Sequence, residues 1–163
     1  MLSRNAISGA FRAAVLLIAA VSAPVFAMSR QISDEELVRS SSVVVDARVK
    51  QVTPHWNQDR SLIFTTVQIS VAQILYARGN PPGSSLEFEV LGGELDGVGL
   101  TVSEAPEFRL GERVLVFVRP WTQGRLVLSG GPSGLIRVDE SGIVHGRGVS
   151  VKQFGSQIRG LAR

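Results

Sequence analysis

Ser61-Leu62-Ile63-Phe64-Thr65-Thr66-Val67-Gln68-Ile69-Ser70-Val71-Ala72-Gln73-Ile74-Leu75 is the longest strand signal in the chain. Ile63, Thr65, Val67, Ile69 and Val71 alternate with Phe64, Thr66, Gln68 and Ser70, the period-two pattern of a half-buried strand. The phase slips at Ala72-Gln73, because Ile74 is out of step with Val71. One extra residue in a strand is a β-bulge, and a bulge lets a long strand bend around a barrel corner. A long bent strand of this kind belongs to an all-β architecture.

Upstream, Val43 to Val52 repeats the alternation, with Val43, Val45, Ala47 and Val49 opposed to Asp46, Arg48 and Lys50. Thr53-Pro54 is expected to end that strand. Ser33-Asp34-Glu35-Glu36 has the form of a capping box and predicts a short helix to about Ser40. Its apolar Leu37 and Val38 are expected to plug a barrel end. Downstream, Gly79-Asn80-Pro81-Pro82-Gly83 breaks the chain before a third strand carrying Leu86, Phe88 and Val90. Gly92 to Gly99 reads as a glycine-rich loop. Val114 to Val118 is an uninterrupted apolar run, which predicts a strand covered on both faces. Gln123-Gly124 predicts a hairpin into Leu126-Val127-Leu128, and Leu135 to Val138 follows as another strand. Ser150 and Gln153 form a second capping box, with Val151, Phe154, Ile158 and Leu161 on one helical face. The predicted fold is mainly β, a small OB-like (oligonucleotide-binding-type) barrel of five to seven strands with a short helix near each end.

Composition narrows the chemistry. The 163 residues include no cysteine, which excludes disulfides, zinc fingers and a cysteine nucleophile. Residues 1–27 read as a cleaved signal peptide: Arg4 and Arg12 charge its start, Ala13 to Val21 is apolar, and Val25-Phe26-Ala27 precedes the cut. The run is too short to span a bilayer, so no membrane insertion is expected after cleavage, and the product is expected in the periplasm or secreted. Residues 28–163 form the single predicted domain, with a C-terminal helix over 150–161. Loss of Arg4 and Arg12 lowers the formal net charge of +3, so the basic balance of the precursor gives no reason to expect nucleic acid.

His55 and His145 are the only imidazoles. Neither has a partner at metal-ligand spacing, and no metal or cofactor is expected. A hydrolase would have to draw on His55, His145 and Ser133, yet Gly130-Gly131-Pro132-Ser133-Gly134 is not a nucleophile elbow. Glu94, Asp96, Glu104 and Glu107 have no calcium-loop spacing. Glu87 and Glu89 share a strand face, as on the wet side of a sheet. Trp56 and Trp121 lie near turns. An exposed tryptophan is a binding anchor, whereas burial at a barrel end is the expectation for a large apolar ring.

Leu37 to Val49 followed by Phe64 to Leu75 resembles the opening of the netrin-like domains, which include the tissue inhibitors of metalloproteinases. Leu91-Gly92-Gly93-Glu94-Leu95-Asp96-Gly97, Ala105-Pro106-Glu107-Phe108 and Gly111-Glu112-Arg113-Val114-Leu115-Val116-Phe117 resemble a family of secreted bacterial domains of unknown function, sometimes found near matrixin-type metalloproteases. The resemblance implies a barrel, an exported location and a possible exported partner such as a protease. It does not bring the inhibitor mechanism, which needs an N-terminal cysteine that residues 28–32 do not offer.

The expected function is therefore a non-catalytic binding domain, a protein-interaction module of the cell envelope. Its expected contact surface is the 54–60 segment around Trp56 and the Gly92–Pro106 segment, with Gly92, Gly93, Glu94 and Asp96. The alternative is a glycan, lipid-surface or small-ligand binder. It would use the barrel mouth or the basic C-terminal helix, within a tail of 23 residues that carries Arg147, Lys152, Arg159 and Arg163 and no acid.

Overall fold

The computed structural model describes residues 32–162 apart from Glu104. The expected signal segment, 1–27, lies outside the described residues. Helix α1 (Asp34–Ser40) is followed by strands β1 (Val43–Trp56), β2 (Ile63–Ala77), β3 (Ser85–Leu91), β4 (Gly93–Leu95), β5 (Val98–Leu100), β6 (Arg113–Pro120), β7 (Leu126–Leu128) and β8 (Leu135–Val138), and then helix α2 (Val151–Leu161).

Five strands close into a barrel in the order β1-β2-β3-β7-β6, with β6 pairing back onto β1. All contacts around the ring are antiparallel except β3–β7, which is parallel. The expected OB-like barrel is therefore present. β8 lies alongside the first half of β6, on the edge that β7 takes over at Val118. β4 and β5 form a separate two-stranded hairpin.

The bulge read from the sequence is present. Asp46 pairs with Gln73 and Ala47 with Val71, so Ala72 is the extra residue. Leu75 is extra in the same way, between Val44–Tyr76 and Val45–Ile74, and it is buried in the outer cluster under α2 while Ile74 is exposed. β1 runs four residues past the predicted stop. Pro54 is tolerated there because β6 pairs with β1 only from Val43 to Arg48, leaving Pro54 on an edge where its missing N–H is not needed.

Alternation on β1 and β6 feeds two cores. Val43, Val45, Ala47, Val49, Val114, Val116 and Val118 point into the barrel with Phe88 and Ile69. Val44, Leu115 and Phe117 point out and are covered by Leu37 and Val38 of α1 and by Phe154 and Ile158 of α2. The Val114–Val118 run is thus dry on both faces, as expected. Both helix caps form: the Ser33 hydroxyl accepts from the Glu36 amide, and the Ser150–Gln153 box closes in both directions. Helix α1 does not plug a barrel end as expected, because Leu37 and Val38 pack on the outer side of β1 and β6 with α2. Phe108, partly buried, packs against the interior cluster, its ring meeting Phe88 edge-on at 5.8 Å. Asp46, 2% exposed on the outer side of β1, is held by a bidentate contact from Arg113 at 2.9 and 2.7 Å.

Candidate functional site

The segment read as a glycine-rich loop is a hairpin folded against the β1–β2 ribbon. Asp96 and Gly97 both have positive φ, the backbone of a tight hairpin turn, and Leu95-Asp96-Gly97-Val98 carries the sequence signal for it. The Trp56 indole Nε1 donates to Asp96 Oδ2 at 3.5 Å, so two of the expected site residues do meet. Arg60 lies 5.8 Å from the Trp56 ring centre. Trp56 is half-buried.

Gly92 and Gly93 have a structural role at the same place. The Gly92 amide donates to Ile63 at 2.8 Å, and its carbonyl accepts from the Thr65 hydroxyl at 2.7 Å. Gly93 has φ of +140°, and a Cβ there would come within 2.6 Å of Thr65 Oγ1. Both positions let the hairpin seat closely on β2. Gly92, Gly93 and Glu94 border a depression of about 700 Å³ between the hairpin and segment 101–109.

A second concavity, of about 440 Å³, lies where β3 and β7 part. The two strands pair at one position, Glu89 with Val127. Beyond it the gap is walled by Val90, Leu91, Val127 and Leu128, with Val102 and Pro106 opposite and Trp121 at the rim. Trp121 is 54% exposed, against the expectation of burial, and Leu91 is 39% exposed. The ring lies outside because β6 ends at Pro120, and a 3₁₀ turn at 122–124 carries the chain away before β7 begins. The Arg119 guanidinium sits over it, 5.0 Å from the ring centre.

One wall of this cleft is a polar network. Glu89 accepts from Arg125 Nη1 at 2.9 Å and lies 3.5 Å from His55 Nε2. His55 Nε2 is also 3.1 Å from the Thr66 hydroxyl, and its Nδ1 is 3.2 Å from the Trp56 carbonyl oxygen. The Glu89 side chain is only 16% exposed, so unlike Glu87 it is not on a wet face. The same nitrogen of His55, Nε2, thus faces both the Thr66 hydroxyl and the Glu89 carboxylate, while Nδ1 faces the Trp56 carbonyl.

Ser133 and His145 are both exposed and border a shallow cavity with Arg137 and Arg147. No hydrogen bond joins Ser133 to His145 among the described residues. Arg147 donates to both carboxylate oxygens of Asp34, at 3.0 and 2.6 Å, and this hydrogen bonding raises the Arg147 pKa. Arg147, which precedes α2, is therefore a paired cation of the C-terminal tail. No three His, Asp or Glu side chains gather as metal ligands among the described residues. No described helix is long and apolar enough to cross a membrane.

The chain matches no protein-family model and no curated protein. The β3–β7 cleft was not legible in advance. Its only local trace is Arg119-Pro120-Trp121, a tryptophan just after a strand-ending proline.

Proposed function

We propose that the chain is an exported, non-catalytic binding domain, a protein-interaction module of the cell envelope, and that it engages its partner through the cleft beside Trp121. The observation that carries this reading is the exposed indole at the rim of an apolar cleft. Soluble domains seldom leave a large ring beside a concave apolar surface, and tryptophan and arginine are the residues that most often dominate the energy of protein interfaces. Export rests on residues 1–27. The resemblance to netrin-like and secreted bacterial domains supports a partner that is itself exported, such as a protease. The hairpin face with Trp56, Glu94 and Asp96 is the second contact surface of this reading.

The alternative reading, a basic C-terminal tail against anionic lipid or glycan, has one of its cations, Arg147, already paired with Asp34, and its helix keeps Lys152 and Arg159. The test is a capture experiment from an envelope extract at low and high salt, with the wild-type chain and Trp121→Ala. One dominant protein, retained at high salt and lost with Trp121→Ala, is the expected result. Nothing retained, or only salt-labile acidic material, would overturn it. Retention untouched by Trp121→Ala but lost with Trp56→Ala and Glu94→Ala would move the interface to the hairpin.

A further inference from the structure

Among the described residues the charges around the cleft are not balanced. Glu89, its acidic wall, is already bound by Arg125 and faced by His55. Arg119 has no carboxylate partner among the described residues, and its guanidinium lies over the face of Trp121. An indole stacked on a guanidinium leaves the N–H fork of that guanidinium free at its edge. The cleft thus offers an apolar floor of Val90, Leu91 and Val127, an aromatic rim, and one uncompensated cation beside it.

From this arrangement we infer that the cleft accepts an extended acidic–apolar peptide segment. A leucine or aromatic side chain of the segment enters between Trp121 and Leu91, and an aspartate or glutamate one or two positions away bonds Arg119. The inference rests on the protein-interaction reading above and names the chemistry of its partner. Two features favour a peptide over other ligands. The lining is mostly aliphatic, so a sugar would bury hydroxyls without partners, at a cost of about 1–3 kcal/mol each. The cleft of about 440 Å³ is half-open, so a long acyl chain laid in it would stay partly in water, whereas one or two large side chains of a peptide can seat there. Charge complementarity sets the sign: a basic segment would meet Arg119 as a like charge.

The test is selection of random dodecapeptides, displayed on phage, against the protein in the form in which it accumulates in the cell. Affinities of the enriched sequences are then measured by titration calorimetry. Enriched sequences are expected to place Leu, Phe or Trp within two positions of Asp or Glu. Arg119→Glu should weaken them at least tenfold, Arg119→Lys severalfold less, and Trp121→Ala should abolish binding. Unchanged near-ultraviolet circular dichroism of the Arg119 variants, and of Trp121→Ala away from the indole's own signal, would show that the fold is intact. Enrichment of basic sequences, absence of enrichment, or indifference to Arg119→Glu would overturn the inference. Tight binding of oleate or of a short glycan to the cleft in place of any peptide would overturn it too. If the envelope capture succeeds and depends on Trp121 but not on Arg119, the interaction reading stands and this inference alone falls.

Discussion

The barrel closes at two seams that are built in opposite ways. At the β1–β6 seam six consecutive positions pair, from Val43–Val118 to Arg48–Arg113, and both faces are covered, one by the barrel interior and the other by the two helices. At the β3–β7 seam one position pairs, Glu89–Val127, and the outer side is open to solvent beside Trp121. The first seam joins residues that pack on both sides, so its stability is hydrophobic. The second is held by a local polar network, and where it parts it leaves the cleft. A barrel can concentrate its stability at one closure and keep the other for binding.

The largest effect expected from breaking this contrast is at Phe117, fully buried between the β1–β6 seam and α2. Phe117→Ala removes a ring from a dry site and should cost about 3–5 kcal/mol, read as a lower midpoint in urea. Asp46→Ala should cost about 3 kcal/mol, because it leaves the Arg113 guanidinium without its partner at the same seam. The pairing raises the Arg113 pKa, chiefly through the Asp46 hydrogen bonds, so this guanidinium's contribution is fully present below its ordinary value and is lost only as pH rises past its raised folded value. Stability curves of wild type and Asp46→Ala should therefore not converge anywhere on the alkaline side of neutrality that a protein survives.

The β3–β7 seam should respond far less. Arg125→Ala breaks a pair whose arginine is 39% exposed, and a loss of about 1 kcal/mol or less is expected in the same urea titration. Trp121→Ala should leave the midpoint nearly unchanged, since the ring packs on little, and yet remove binding. A large loss of stability in either variant would show that the second seam bears load and would remove the physical basis of the contrast.

The two seams also differ in how far the sequence foretells them. The Val114–Val118 run and the alternating valines of β1 state locally that their strands are buried. The capping serines state where the helices begin. Each signal lies within a few residues of what it specifies. The β3–β7 seam depends on Glu89 meeting Val127, two residues whose own neighbourhoods say nothing of each other. Glu89 reads as the wet side of a strand until Arg125 and His55 are brought to it. Trp121 reads as a buried ring until the strands beneath it part. The Gly92–Gly99 hairpin lies between these cases: Asp96-Gly97 between Leu95 and Val98 is a hairpin signal, but the surrounding glycines make the segment read as a loop.

The smallest effect belongs to a group that serves neither seam. Asp59 lies in the turn from β1 to β2, where its Oδ1 accepts from the Ser61 hydroxyl at 2.8 Å and from the Ser61 amide at 3.4 Å. The hydroxyl bond is the main reason that its pKa lies below the ordinary 3.8. A depressed carboxylate contributes stability above its unfolded pKa and loses that contribution as pH falls through the folded value. Here the group is fully solvated, and what it orders is one turn. Asp59→Asn should therefore leave the urea midpoint nearly unchanged at neutral pH, because the bond it breaks is exposed to solvent and orders only one turn. The amide resonance of Ser61 should move with a midpoint below 3.8 in the wild type and stay still in the variant. If Asp59→Asn instead lowered the global midpoint, the β1–β2 turn would have to be counted with the β1–β6 seam, because only an element coupled to the core can pass a solvent-exposed hydrogen bond on to the whole fold.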